Sequence, residues 1–95
     1  MKVFIGDTVL LDVDCGIDVS SYTTYKINYK KPDGTVGCWT AAISATDNTH
    51  IEYETLTADF DQKGVWTIQA FAYTPLDFLH GEWDEIKVYE PIECP

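Results

Sequence analysis

Residues 25–40 read YKINYKKPDGTVGCWT. Tyr25, Ile27 and Tyr29 alternate with Lys26, Asn28 and Lys30, the period-two pattern of a strand with one buried face. Pro32, Asp33 and Gly34 then form a turn: the proline presets φ, the aspartate bonds locally and the glycine takes positive φ. A second strand follows with Trp39, Ala41 and Ile43 in phase. The stretch therefore reads as a β-hairpin whose two arms meet in a core. Lys30 and Lys31 sit at its tip, where lysines discourage edge pairing. They are also the basic spot that an acidic neighbour would meet, so both are candidate protein contacts.

The same period runs outward on either side of the hairpin. In 9–15, Val9, Leu11, Val13 and Cys15 share a face. In 49–55, Ile51 and Tyr53 face in, while His50, Glu52 and Glu54 face out. In 65–73, Trp66, Ile68, Ala70 and Ala72 lie on one side and Val65, Phe71 and Tyr73 on the other. That predicts a central strand covered in places on both faces. Ile86 and Val88 mark a strand over 83–89, and KVFI a short first strand. PLDFLHGEW, interrupted by Gly81, reads as a loop with one helical turn. About seven short antiparallel strands predict an all-β, immunoglobulin-like β-sandwich, a single domain over residues 1–95.

The charge narrows the function. Sixteen Asp+Glu face six lysines and no arginine, a formal net charge of −10. Nucleic-acid binding needs clustered cations to displace counterions from phosphates, and anionic membranes make the same demand. Neither partner is expected. No stretch approaches the roughly 20 apolar residues of a membrane span. The start, MKVFIGDTVLLDVD, lacks a signal-peptide pattern, so synthesis in the cytosol is expected. Three cysteines without CxxC or zinc spacing suggest thiols in a reducing compartment. A Cys15–Cys38 disulfide stays open, and Cys94, beside Pro95, is a tail feature.

Chemistry finds little purchase. DVDCGID brings Asp12, Asp14 and Asp18, but Thr23 stands where a calcium-loop glutamate would fall. An outward strand face explains these aspartates, and no metal or cofactor is expected. A small sandwich rarely offers the deep cleft that paired carboxylates need. His50 and His80 lack a nucleophile motif and read as solvated surface residues, so no enzyme is expected. Trp39 and Trp66 keep phase with their strands and belong to the core. Phe78, Leu79 and Trp83 lack strong periodicity and are the main candidates for contact with another protein. Sugar stacking on Trp83 is the alternative.

Two resemblances add to this reading. LTADFDQKGVW is similar to the crossover before the sixth strand of immunoglobulin-like domains, with Asp61, Gly64 and Trp66 in the characteristic places. Trp66 stands where a corner tyrosine usually stands, so the usual hydroxyl bond is missing, with the indole N–H as the candidate replacement. The whole order of motifs, from MKVFIGDT and LLDVDCGIDVS through YKKPDGTVGCWT, THIEYET and DQKGVWTIQAFAY to KVYEP, resembles small tailed-phage and prophage virion proteins. That resemblance implies an immunoglobulin-like, non-enzymatic virion part: capsid decoration, head fibre, tail or baseplate. Its implied partners are other virion proteins and further copies of itself, and it would be made in the bacterial host cytoplasm. A module that binds host-surface glycans is the competing implication.

Overall fold

A computed structural model of the protein describes residues 2–92; Cys94 lies outside them. Seven strands make up the fold: β1 (Lys2–Phe4), β2 (Leu10–Asp14), β3 (Thr24–Lys30), β4 (Val36–Ile43), β5 (His50–Glu54), β6 (Gly64–Tyr73) and β7 (Phe78–Tyr89). The all-β reading and the strand number agree with the sequence. The arrangement differs from two separate antiparallel sheets. All seven strands join one sheet in the order β1-β7-β6-β3-β4-β5-β2. It is mixed, because β1 runs parallel to β7.

β4 explains why the sheet is continuous. Its first part pairs with β3, from Lys30↔Val36 to Tyr25↔Ala41. Its last two residues pair with β5, Ala42↔Glu52 and Ile43↔Ile51. One strand thus serves both walls, and the sheet curls around the core as a half-barrel. The β2–β5 wall contributes Leu11, Val13 and Ile51; the β3–β6–β7 wall contributes Ile27, Ile68, Ala70, Ala72, Ile86 and Val88. These are the in-phase residues of the alternating pattern, which is why a period-two reading locates the core.

Trp66 is the pivot of that core. It is fully buried, and its Nε1–H donates to the carbonyl oxygen of Gln62 at 2.9 Å. The indole thus bonds back to the crossover just upstream. Phe60 packs its edge against the Trp66 ring at 5.2 Å, and Trp39 stacks on it at 6.3 Å. Tyr53 in turn stacks on Trp39 at 5.3 Å. One aromatic column thus joins β6, β4, β5 and the β5–β6 crossover.

The hairpin tip is tied to the same crossover. The Asp33 carboxylate accepts from the Thr35 N–H and from Gln62 Nε2, both at 2.9 Å. These bonds hold its carboxyl below the usual range, the Thr35 backbone bond foremost. Gly64, at φ 127°, passes so close to Pro32 that a Cβ would lie 2.8 Å from the ring.

The stretch read as a loop is strand. Phe78, Leu79 and His80 pair with Tyr73, Ala72 and Phe71. Gly81 does not break the strand but makes a β-bulge: β6 advances from Gln69 to Phe71 while β7 spans Trp83 to His80. A side chain at Gly81 would lie 2.9 Å from the Asp14 carbonyl oxygen and 3.1 Å from the Ala70 Cβ, so glycine is required by space. The two cysteines left open as a disulfide are free: Cys15 is buried on the core side and Cys38 is exposed on the outer face. Burial, then the neighbouring Asp14, pushes the Cys15 thiol up to about 11.

Replacing Trp66 with phenylalanine removes the indole donor to the Gln62 carbonyl and leaves a void under Phe60. We expect Trp66→Phe to cost about 2–4 kcal/mol in urea unfolding with little change in the denaturant slope. An unchanged midpoint would show that the indole is not the pivot.

Candidate contact surface

The outer face of the long wall is built from strand residues that the core does not use. On β6 these are Val65, Thr67, Gln69, Phe71 and Tyr73, alternate to the buried set. No second layer covers them among the described residues. Phe71 and Tyr73 are instead half-buried by side chains of β7 on the same face. Phe78 stacks on Phe71 and Tyr73 at 6.2 and 5.9 Å, and His80 stacks on Phe71 at 4.6 Å.

The bulge at Gly81 decides which residues of β7 reach this face. Phe78 and Trp83 are an odd number of residues apart, so a regular strand would send them to opposite sides. The extra residue in β7 resets the phase. Phe78 then faces out beside Tyr73, and Trp83 faces out beside Gln69. Both remain largely open to solvent, 67% and 71% exposed. Leu79 points the other way and packs against the core. Of the three apolar residues singled out in LDFLHGEW, two therefore reach the surface and one anchors the strand.

Trp83 also walls a groove of about 450 Å³ that crosses β7, β6, β3 and β4. Asn28 and Gln69 lie on its floor, with Val36, Cys38 and Lys30 toward the far side. Gln69 Nε2 donates to the Gly81 carbonyl oxygen at 3.0 Å, which fixes the floor to the bulge. Val36 is 71% exposed. Phe71, Tyr73, Val36 and Cys38 were not candidates on sequence grounds. The alternation that places their neighbours inside places them on the outside, but it cannot say whether a second layer covers them.

The two candidate lysines part company. Lys30 is exposed at the end of β3. Lys31 turns inward: its Nζ lies 3.0 Å from Asp61 Oδ2 and 5.5 Å from the centre of the Trp66 ring. The hydrogen bond to Asp61 raises its pKa. Lys31 thus pins the hairpin to the crossover, and Lys30 is the cation of the tip left facing solvent.

The acidic segment and His50 meet on the opposite wall. His50 Nδ1 lies 2.8 Å from Asp12 Oδ1, and Nε2 lies 3.7 Å from Asp47 and 3.9 Å from Asp14. His50 is thus a half-buried, ion-paired residue rather than a freely solvated one. Asp14 and Asp18 turn their carboxylates to the N–H groups of Gly16 and Ser20. No group of three or more His, Cys, Asp or Glu side chains arranged to hold a metal occurs among the described residues. Compared with protein-family models, with curated proteins and with solved structures, the chain matches none of them.

The bond to Asp12 raises the His50 pKa, with the carboxylates of Asp12, Asp47 and Asp14 adding to it against a burial cost. A raised folded value means that the paired imidazolium stabilises the fold below about pH 6.5. That contribution is lost as pH rises through the folded value. We expect the stability difference between the parent and His50→Gln to shrink from pH 5.5 to pH 8. A difference independent of pH would contradict the pairing.

Proposed function

We propose that the chain is a non-enzymatic structural or accessory protein of a tailed-phage virion, acting by protein–protein contacts. The observation that carries the contact reading is the open aromatic face of β6 and β7. Phe78 and Trp83 are large apolar side chains held on a rigid strand, and clustered, exposed aromatics on rigid elements are the usual anchors of protein interfaces. The virion setting rests on the resemblance of the motif order. On this reading the protein is made in the host cytoplasm and carried in the particle in many copies, against capsid, head-fibre or tail proteins.

The immunoglobulin-like reading of the fold is part of the proposal. Three features support it: β2 pairs with β5 on one wall, β3, β6 and β7 form the other, and the Trp66 indole bonds back to the crossover before the sixth strand. The competing glycan reading draws on the same Trp83, which shares the groove with the amides of Gln69 and Asn28.

Mass spectrometry of purified particles tests the setting, with the chain expected in a copy number that matches a symmetric shell or tail. The double variant Phe78→Ser, Trp83→Ser should fold normally, because both side chains lie outside the core, and should lose at least tenfold in particle incorporation. Particles that lack the parent chain, or that take up the variant as well as the parent, would sink the reading. A glycan-array signal abolished by Trp83→Ala would favour the competing one.

A further inference from the structure

A curled sheet leaves edges; besides the outer side of β1, which is only three residues long, three stretches of edge are open here among the described residues. β2 is unpaired on the side away from β5. β7 is unpaired from Phe78 to Ile86, because β1 reaches only Lys87–Tyr89. β4 is unpaired over Val36–Ala41 on the side away from β3, because β5 joins it only at Ala42.

Two of these edges are guarded. β2 carries Asp12 and Asp14, which would meet like charges in a second copy. β7 has the bulge at Gly81, and Asp84 stands on the core-facing side at the rim. The Asp84 carboxylate also accepts the Glu85 N–H at 2.8 Å. A bulge and a charged side chain on the edge are standard devices against edge pairing.

The edge of β4 has neither device. Residues 35–46, TVGCWTAAISAT, carry no charge in a chain whose net charge is −10. The other long uncharged run, 64–76, lies mostly in β6, which is paired on both sides. The N–H of Lys31 bonds the Thr35 carbonyl at 2.8 Å, which sets the alternation of the hairpin. Gly37, Trp39 and Ala41 therefore turn their backbone groups to β3. Val36, Cys38 and Thr40 turn theirs to the open side, and all three side chains are exposed.

We propose that this edge pairs antiparallel with the same edge of a second copy of the chain, about a two-fold axis at Cys38. Such a pairing is self-complementary. Val36 bonds Thr40 of the second copy, Cys38 bonds its counterpart, and Thr40 bonds Val36. No charge opposes charge along the line. The axis also carries each Lys30-bearing tip toward β5 of the other copy, where Glu52 and Glu54 stand. The outer walls then join into one wide sheet. This edge borders the groove that Trp83 walls, but the pairing uses the β4 backbone and neither Phe78 nor Trp83, so Cys38 variants test it independently of the virion setting.

The register predicts a direct readout. Residues in a hydrogen-bonded antiparallel pair have Cα atoms about 5.5 Å apart, within the span of a disulfide. In the full chain carrying Cys94→Ser, copper–phenanthroline oxidation should yield a covalent dimer linked through Cys38, and sedimentation should show a dimer before oxidation. Cys38→Ser should keep the sedimenting dimer and lose the cross-link. Cys38→Glu, which sets two carboxylates face to face on the axis, should sediment as a monomer with unchanged circular dichroism. The proposal is overturned by a parent that stays monomeric to millimolar concentration. It is equally overturned by a Cys38→Glu protein as dimeric as Cys38→Ser, or by a dimer that does not cross-link at Cys38.

Discussion

The Trp66 indole must be buried whole, yet its N–H needs an acceptor. The chain meets both demands at one place. The ring sits between Trp39 and Phe60, and the N–H reaches the Gln62 carbonyl across the crossover. An unmet donor there would cost about 1–3 kcal/mol, and loss of the ring more. Around this fixed point the other contacts fall into place. Lys31 lies over the ring and holds Asp61, Gln62 holds Asp33, and Gly64 lets the backbone pass beside Pro32. The hairpin of β3 and β4 is thereby clamped to the start of β6. That clamp lets a single strand, β4, turn from one wall to the other without a separate second sheet.

With the inner face consumed by the core, the outer face is free for other work. Its character comes from one irregularity. A regular β7 would offer solvent either Phe78 or Trp83; the bulged strand offers both. Gly81 is needed for the bulge because Asp14 and Ala70 crowd it from the inner side. Packing inside the half-barrel thus dictates which side chains appear outside it. The aromatic stripe and the Trp83 groove follow from the core rather than lying on the fold as a separate addition.

Much of this was legible in the sequence. The alternation around Leu11, Ile27, Ile51 and Ile68 placed these residues inside correctly, because a period of two leaves no other choice once one face is buried. Pro32, Asp33 and Gly34 located the turn for local reasons of dihedral preference. Three things were not legible. Gly81 reads equally as a chain break or as a bulge, and only the pairing of Phe78 with Tyr73 separates the two. The hydrogen-bond partners of His50 and Lys31, Asp12 and Asp61, lie 38 and 30 residues away, so no local pattern reports them. The continuity of the sheet depends on where β4 changes neighbours, at Ala41 and Ala42, and two alanines carry no signal of it. For the candidate surface, Trp83 and Phe78 stood out by lacking a core role, whereas Phe71 and Val36 depend on what does or does not cover them.

We propose that the open β6–β7 face is where this protein meets its neighbours in a virion. A density map of the particle is the most direct measurement of it. On that proposal, copies of this half-barrel are arranged with the symmetry of the shell or tail, with Phe78 and Trp83 buried against another protein. A map in which the copies are seated by some other surface, with both side chains facing solvent, would contradict it.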